Sequence, residues 1–317
     1  MWRRSISLAL GMGIVGLLPG TPRLAAAELA QNPGEISVTV GELLESIFLS
    51  WKDAYQKKNP GHRINHLTTP NATAIQAFLE GKTPIGPSTR ELTPEESAAF
   101  KAKWGYPPTR IAVAADAVVV LVNRNNPIRE IRIEQLDAMY SSQRRQGWPK
   151  NVETWGDLGL SSGGWSNRPI ERWGHPGDSG TLVFFRKVVQ LGGPDKPDTR
   201  TGSDVEYMVE NIMADQAAIG YGSISQVCAT MKAIPLVPKG AKDAVEPTPT
   251  SVADGSYPLG RFLYFHLNKP AGKPLSPELK SFIAFVLSPE GQQLIPAKGF
   301  IPLSPDMVGL GMRHIAH

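Results

Sequence analysis

Residues 175–189 combine small hydrogen-bond donors at a turn with an apolar helix directly after them. Ser179, Gly180 and Thr181 stand where this helix begins, and the first backbone N–H groups of a helix have no partner inside it. The helix dipole and these free donors together favour an anion. Gly180 also lets a ligand approach the backbone closely. An ordinary capped helix with Asp178 or Ser179 as N-cap explains the same residues, so both interpretations stay open.

The same turn matches the serine motif of trypsin-like proteases, because it contains Gly-Asp-Ser-Gly. A serine nucleophile needs a histidine base and a carboxylate that orients the base, usually from separate segments. Here His175 and Asp178 would crowd the turn that carries Ser179, and the chain continues with Thr181 and Leu182 where proteases have Gly-Pro. A serine hydrolase using Ser179 is therefore the least favoured function. We expect no catalytic residue and no enzyme.

The elements around this turn are a short strand and a helix. Residues 170–173 predict the strand, and Val183, Phe184, Val188 and Leu191 recur at helical spacing. This spacing predicts that these four side chains form the buried face of the helix. The turn would then lie at the end of a strand and the start of a helix, where open α/β sheets bind ligands.

Strands and helices alternate over the preceding part of the chain as well. Residues 36–40, 63–67 and 85–90 predict strands, while residues 44–55 and 71–80 predict helices. This order argues for an α/β sheet that is open to ligands at its strand ends.

Residues 111–123 form a long, nearly continuous apolar run rich in β-branched side chains. Such a run predicts a buried strand, and we expect it to pass from one lobe into another. Residues 192–201 and 238–258 predict surface loops, and residues 277–287 predict a helix. The only cysteine, Cys228, forms no internal disulfide and is expected to be a small buried side chain.

Residues 1–27 have the pattern of a secretory signal peptide: Arg3 and Arg4, an apolar run over residues 6–18, and small residues at 25–27. The apolar run is shorter than the ~20 residues of a membrane span. We therefore expect a periplasmic product without a membrane span, exported by the general or the twin-arginine route. Cleavage removes three arginines and no acid, which lowers the net charge of +4 to +1. A nearly neutral chain without a basic stripe is not expected to bind nucleic acid.

Several segments between residues 35 and 303 resemble the phosphate-type periplasmic solute-binding proteins of bacterial ABC importers. In the order of that family they cover residues 54–61, 78–81, 88–92, 115–123, 178–181, 218–221, 287–293 and 299–302. The resemblance implies the type II periplasmic-binding-protein fold. This is an α/β fold of two lobes, each a mixed sheet flanked by helices, joined by two hinge crossovers. The lobes would close on a ligand by hinge motion.

The resemblance also implies the domain boundaries. In chain order they are a signal peptide at residues 1–27, the N-terminal part of lobe 1 at 28–113, lobe 2 at 114–221, and the C-terminal part of lobe 1 at 222–317. The chain would cross near residues 112–120 and return near residues 220–225.

In this family four loops surround an oxyanion, and each donates backbone N–H or hydroxyl groups. The resemblance therefore implies ligand contacts at Gly41, Glu42, Asn71, Thr73, Ser88, Thr89, His175, Asp178, Ser179, Gly180 and Thr181. It implies no metal ligand and no cofactor.

Some of these positions depart from the family pattern. His175 stands where the family has an arginine that pairs with the anion, while Glu42 and Asp178 place carboxylates where a hydroxyl and a glycine are expected. The Ser88-Thr89 pair lacks the carboxylate that accepts a phosphate proton. If protonated His175 supplies the missing charge, affinity should rise as the pH falls towards its ordinary pKa near 6.5. Alternatively, His175 is a turn residue hydrogen-bonded to backbone, and the two acids cap their helices.

The leading function is capture of phosphate, or of a related oxyanion, in the interlobe cleft for the membrane subunits of an ABC importer. The alternative keeps the fold with a degenerate anion site. Such a protein would bind another ligand or act as a sensing or interaction protein.

Overall fold

The computed structural model describes residues 34–177, 179–270 and 272–316, so the predicted signal peptide and Asp178 lie outside the described residues. Strands and helices alternate over most of this range, as predicted. In chain order they are β1 (Glu35–Gly41), α1 (Glu42–Lys58), β2 (Arg63–Thr69), α2 (Asn71–Leu79), β3 (Ile85–Ser88), α3 (Pro94–Trp104), β4 (Thr109–Asn123), β5 (Ile131–Arg132), α4 (Ile133–Tyr140), β6 (Glu171–Gly174), α5 (Gly180–Val188), β7 (Arg200–Thr201), α6 (Val205–Ala214), β8 (Ala218–Ser223), β9 (Met231–Ile234), β10 (Leu236–Val237), α7 (Pro249–Ala253), β11 (Gly260–Leu267), α8 (Pro277–Leu287), α9 (Pro289–Gln293) and α10 (Pro305–Ala316).

At Gly41 the spacing of buried apolar residues changes from every second residue to every third or fourth, and the strand β1 gives way to the helix α1. Every second residue of β1 is buried, namely Ile36, Val38 and Val40. α1 instead buries one helical stripe, which consists of Leu44, Ile47, Phe48, Trp51 and Tyr55. β1 pairs with β2 in parallel, so the ends of these two strands and the starts of α1 and α2 lie at one edge.

β4 is the strand that both halves of the molecule share. Its first part pairs with β11 and its second part with β8 and β9, all antiparallel. The main sheet has the order β3-β11-β4-β8-β6-β7, with β9 also paired to β4. Residues 111–114 belong to one hydrophobic core, whereas Ala115 and residues 117–122 belong to another. The predicted strand that passes between two cores is confirmed.

The two cores are built by different parts of the chain. The first core combines β1, α1 and the start of β4 with β11, α8 and α10, and the second core surrounds β4, β6, β8, α4 and α5. The α/β architecture of sheets flanked by helices is confirmed. The predicted domain boundaries remain a prediction. The second core still contains residues after position 222, namely Met231, Leu236 and Leu259. This favours a return of the chain to the first core within β11 over a return near residue 222.

α5 buries a different face from the predicted one. Its buried apolar side chains, together with the residue after it, are Leu182, Phe185 and Val189. Val183, Phe184 and Val188 are only partly buried, and Leu191 is exposed. The run Leu-Val-Phe-Phe places apolar side chains on several sides of the helix, so its period did not determine which side meets the core.

Two segments predicted as loops contain regular structure, and a C-terminal helix was not predicted. α7 lies in the second loop: the Thr248 side chain accepts a hydrogen bond from the Ser251 N–H, and Pro249 occupies the first helical position. In the first loop, β7 pairs with β6. α10 packs on β4 and α8 through buried Gly311 and Ile315.

Cys228 is exposed, so the prediction of its burial is wrong. It lies in the loop between the 3-10 turn Ile224–Gln226 and β9, and its Sγ is 3.3 Å from Thr230 Oγ1. The hydrogen bond from the Thr230 side chain lowers the pKa of the thiol.

None of the helices within the described ranges has both the length and the apolar composition that crossing a membrane requires. α1, with 17 residues, contains six charged side chains, three of lysine, two of glutamate and one of aspartate.

Candidate functional site

α1 and α2 begin at residues whose side chains cannot accept a capping hydrogen bond. Gly41 and Pro70 occupy the two N-cap positions. A Cβ atom added at Gly41 would collide with the Asn71 side chain, so the two helix starts approach each other because residue 41 is glycine. The first backbone N–H groups of both helices are therefore left for water or an anion.

Ser88 and Thr89 are buried at the end of β3. Ser88 Oγ donates to the carbonyl oxygen of Arg90 at 2.8 Å and accepts from the Arg90 N–H at 3.2 Å, which fixes the turn after the strand. The Arg90 side chain then binds both carboxylate oxygens of Glu96 at 2.7 and 2.8 Å. The turn is thus tied to the start of α3.

Glu96 holds two elements at once. Besides Arg90, it accepts a hydrogen bond from the Thr93 N–H at 2.8 Å and completes the capping box of α3. Burial raises the pKa of this carboxyl, but the bonds from Arg90 and Thr93 outweigh burial and leave the pKa below its usual value. Glu96 is therefore ionised at neutral pH and keeps Arg90 in place.

Residues from both halves of the molecule line one narrow space, which we call the interlobe gap. Its lining consists of Asn71, Ala72, Ile75, Pro87, Ser88, Thr89, Arg90 and Gly180. Thr89 and Gly180 face each other across it, and a Cβ atom added at Gly180 would collide with Thr89 Oγ1. The predicted contacts Asn71, Ser88, Thr89 and Gly180 meet here, and Gly41 lies against Asn71.

A buried arginine lies beside the start of α5. Arg261 Nη2 donates to Thr181 Oγ1 at 3.2 Å, and Thr181 directly follows Gly180. The guanidinium also donates to Asp116 Oδ2 through Nε at 2.9 Å and Nη2 at 2.7 Å, while Ser223 Oγ donates to Asp116 Oδ1 at 2.8 Å. Nη1 is buried and has no hydrogen-bond partner among the residues that the structure describes.

His175 is buried and bonded to backbone. Its Nε2 donates to the carbonyl oxygen of Tyr221 at 2.8 Å, and the two rings lie 5.3 Å apart. Burial lowers the pKa of His175 to about 4; the bond to Tyr221 opposes this effect and the charge of Arg261 adds to it. The histidine is therefore neutral between pH 8 and 5.5, so the expectation that it supplies the missing positive charge is wrong. Its interpretation as a turn residue agrees with the structure.

Two of the remaining predicted contacts, Glu42 and Thr73, do not line the interlobe gap. Glu42 is exposed at the first position of α1 and does not line the interlobe gap. Thr73 lines a separate surface groove together with Thr39 and Gln76. Asp178 lies outside the described residues.

Ser179 is the N-cap of α5. Its Oγ accepts a hydrogen bond from the Leu182 N–H at 3.1 Å. Ser179 Oγ and His175 Nε2 are thus engaged with backbone groups and not with each other. Across residues 34–177, 179–270 and 272–316, no group of three or more histidine, cysteine or acidic side chains is placed to hold a metal ion.

Asp116 and Arg261 were not predicted from the sequence, although Asp116 gave a signal. It is the only charged residue in the apolar run of residues 111–123. A carboxylate inside a strand buried on both faces must find a cationic or hydrogen-bonding partner. The sequence does not show which arginine this partner is, because Arg261 is 145 positions away and meets Asp116 only through the register of β4 and β11.

Comparison with known proteins gives one family. Residues 25–290 match the PBP superfamily domain. The phosphate-binding protein PstS of Pseudomonas aeruginosa is 34% identical over 270 residues, which cover 85% of this chain and 83% of that protein.

Solved structures give the same fold. A phosphate ABC transporter substrate-binding protein of Clostridium perfringens, solved with bound phosphate, superposes with a TM-score of 0.68 at 23% identity and covers 85% of this chain and 100% of its own. An ABC-type phosphate transport receptor of Vibrio cholerae gives a TM-score of 0.64 at 22% identity, with coverage of 84% and 99%. At these identities the likeness concerns the fold.

Proposed function

This chain belongs to the PBP superfamily and, within it, to the family of the phosphate-binding protein PstS, and we propose that it captures phosphate in the interlobe gap. The relative from Pseudomonas is a phosphate-binding protein by name, and the structure from Clostridium contains phosphate. The observation that carries the proposal for this chain is the pairing of Thr89 and Gly180, from opposite halves, across one gap.

The chemistry of the gap suits a tetrahedral oxyanion, because donors converge there from several helix starts. α2 and α5 begin at its edge, and Thr89 adds a hydroxyl group, while the Ser88 hydroxyl is already donated to the Arg90 carbonyl. Each hydrogen bond to a charged group contributes about 1.5–3 kcal/mol. A few such bonds account for micromolar or tighter binding, which corresponds to about 8 kcal/mol.

The cationic donor in this proposal is Arg261, which is also paired with Asp116, and not His175. The guanidinium lies beside Thr181, and Nη1 is free of protein partners among the described residues. We keep the predicted contacts that line the gap or adjoin it, and we add Arg261. The proposed ligand contacts are Gly41, Asn71, Ser88, Thr89, Ser179, Gly180, Thr181 and Arg261.

Delivery to the membrane subunits of an ABC importer is part of the same proposal, as is export to the periplasm. The signal-peptide pattern of residues 1–27 supports export. Two core regions joined through β4 and β11 support closure of the halves around the ligand by hinge motion.

Isothermal titration calorimetry tests the proposal. The cleaved chain, residues 28–317, is unfolded and refolded to remove phosphate that copurifies, and then titrated with phosphate, sulfate and molybdate at pH 7.5. We expect one phosphate per chain and weaker binding of the other anions. Thr89→Ala should lower phosphate affinity by roughly 10- to 100-fold through loss of a bond to a charged ligand. Thr250→Ala, at an exposed position of α7, is the matched control. Absence of binding by phosphate, or preference for another anion, would contradict the proposal.

A further inference from the structure

A second cavity of about 690 Å³ adjoins the interlobe gap and shares Thr89 and Arg90 with it. We call it the aromatic cavity. Sites for small organic molecules have volumes of about 300–1,000 Å³ and combine apolar walls with a few polar groups. A bare phosphate ion has no apolar surface to place in such a cavity, so the proposed function does not explain it.

Aromatic side chains from two elements form its walls. Phe184 lies on the face of α5 that the second core leaves only partly covered. Phe262 and Tyr264 alternate along β11 with Leu263 and Phe265, which are buried in the first core. The helix and the strand therefore each bury one face and present aromatic rings to the cavity with the other.

The charges around the cavity favour an anion. Arg261 lines it, its side chain is only 3% exposed, and Nη1 has no partner among the described residues. Lys187 also lines it and forms no ion pair within the part of the chain that the structure describes. Glu91 is the single acid of the lining, and it is paired with Arg110. Lys187 is thus the cation of the lining that has no ion pair among the described residues. Arg261 adds the free Nη1 of a guanidinium that is paired with Asp116, and the one carboxylate of the lining is paired with Arg110.

We propose that the cleft binds a phosphate monoester of a small aromatic or apolar group. The phosphoryl group lies in the interlobe gap and the organic group in the aromatic cavity. Arg261, which lines the cavity and contacts Thr181 next to Gly180, donates to the phosphoryl group from the side where the two spaces adjoin. This inference rests on the proposed function, because the phosphoryl group occupies the same gap as phosphate.

Phenyl phosphate is the probe, and phenol is the control for its organic part. We expect phenyl phosphate to bind with a stoichiometry of one and to compete with inorganic phosphate, whereas phenol alone does not compete. Phe184→Ala should lower the affinity for phenyl phosphate on the order of tenfold, because it removes an aromatic contact. It should weaken phosphate binding by less than it weakens phenyl phosphate binding, because Phe184 meets the phosphate site only through Arg261, whose guanidinium lies 5.7 Å from the centre of the Phe184 ring. Val188→Ala, a partly buried position of α5 outside the cavity, should change neither affinity.

A second variant keeps the test decisive if Phe184→Ala lowers stability. Val183→Trp fills the cavity from the same helix and should abolish binding of phenyl phosphate while phosphate still binds. Binding of phosphate without phenyl phosphate would overturn this inference and leave the proposed function intact. Equal affinity of the wild type and both cavity variants for phenyl phosphate would also overturn it. If phenyl phosphate bound and phosphate did not, capture of free phosphate would be wrong and the ester site would stand.

Discussion

Asp116 and Arg261 lie directly opposite each other in the register of β4 and β11, and the guanidinium holds one carboxylate oxygen through two nitrogens. Both side chains are almost fully buried, at 0% and 3% exposure. The pair therefore joins the two strands that connect the cores. It lies next to the start of α5, where Arg261 also contacts Thr181.

Removal of one member of this pair should be strongly destabilising. Arg261→Met leaves the Asp116 carboxylate buried with only the Ser223 hydroxyl, and the loss of one partner from a buried ion pair lowers the free energy of unfolding by about 3–5 kcal/mol. Urea denaturation at pH 7 measures the change. The double variant Arg261→Met with Asp116→Leu should recover part of the loss, because no charge is left unpaired. A double variant as unstable as Arg261→Met would contradict this account.

Gly180→Ala should weaken phosphate binding, because the added Cβ collides with Thr89 Oγ1 and keeps the two halves apart. We expect a loss of roughly tenfold or more, since misplacing one pair of ligand contacts removes about 1.5 kcal/mol or more. Calorimetry with phosphate measures it. Adding Thr89→Ala to Gly180→Ala should relieve the collision, so the two substitutions together should weaken binding by less than the sum of their separate effects.

Gly309→Ala, in α10, is the matched control for this substitution. The nearest atom to an added Cβ is Arg313 Nη1 at 3.7 Å, which is an ordinary contact distance. It should leave phosphate affinity unchanged and raise the free energy of unfolding by roughly 0.5–1 kcal/mol, as alanine does in a helix. An equal loss of affinity in both variants would show that the collision with Thr89 is not the cause.

Stability should fall between pH 6.5 and 4 because of two buried histidines. Burial lowers the pKa of His175 and of His266 to about 4, whereas the unfolded chain has its histidine pKa near 6.5. In this window the unfolded chain binds protons that the folded chain does not, so acidification favours unfolding. Each histidine should lower the free energy of unfolding by about 2–3 kcal/mol from pH 7 to 4.5.

Urea denaturation at pH 7, 5.5 and 4.5 measures this dependence. His266→Gln should reduce the slope against pH, while His314→Gln, at an exposed position of α10, should not. A wild-type stability that stays constant over this range would contradict the burial of both histidines.

His175→Arg should lower stability and should not improve phosphate binding. The site is buried, its ring nitrogen is bonded to the Tyr221 carbonyl, and Arg261 already places a positive charge nearby. Among the described residues, Asp116 is already engaged by Arg261 and is not free to pair with a second guanidinium. Burial of an unpaired charge is among the largest destabilising changes, at about 3 kcal/mol or more. Melting temperature and phosphate calorimetry measure the two effects. A gain in affinity at unchanged stability would restore the interpretation drawn from the sequence.

Local periodicity was sufficient to predict much of the fold. The alternation from Ile36 to Val40 and the stripe from Leu44 to Tyr55 each depend on neighbours within a few positions, and both elements form as expected. α5 shows where this signal ends, because four consecutive apolar residues fit more than one face. Tertiary contacts select the buried side, among them those of Phe185 with Tyr221, whose rings stack at 3.7 Å, and with Tyr140 at 5.2 Å.

The site was less predictable for a related reason. The positions of Ser88, Thr89 and Gly180 followed from the resemblance, and the structure brings all three to one gap. The proposed role of Arg261 did not follow, because it depends on long-range register: Arg261 reaches Thr181 only when β11 lies beside β4. The neutrality of His175 likewise depends on burial that its neighbours in sequence do not reveal.

The sharing of the first core between the two ends of the described chain has a consequence for how the protein is made. Its buried residues come from residues 36–114 and again from residues 263–315, whereas the second core draws on residues 115–259 and Ile301. A growing chain that has reached residue 262 therefore holds nearly all of the second core but only part of the first. Since domains form as their contacts become available during synthesis, the second core should fold first. The N-terminal strands wait for β11 and α8, and until these have been made the first core stays incomplete beside a folded second core.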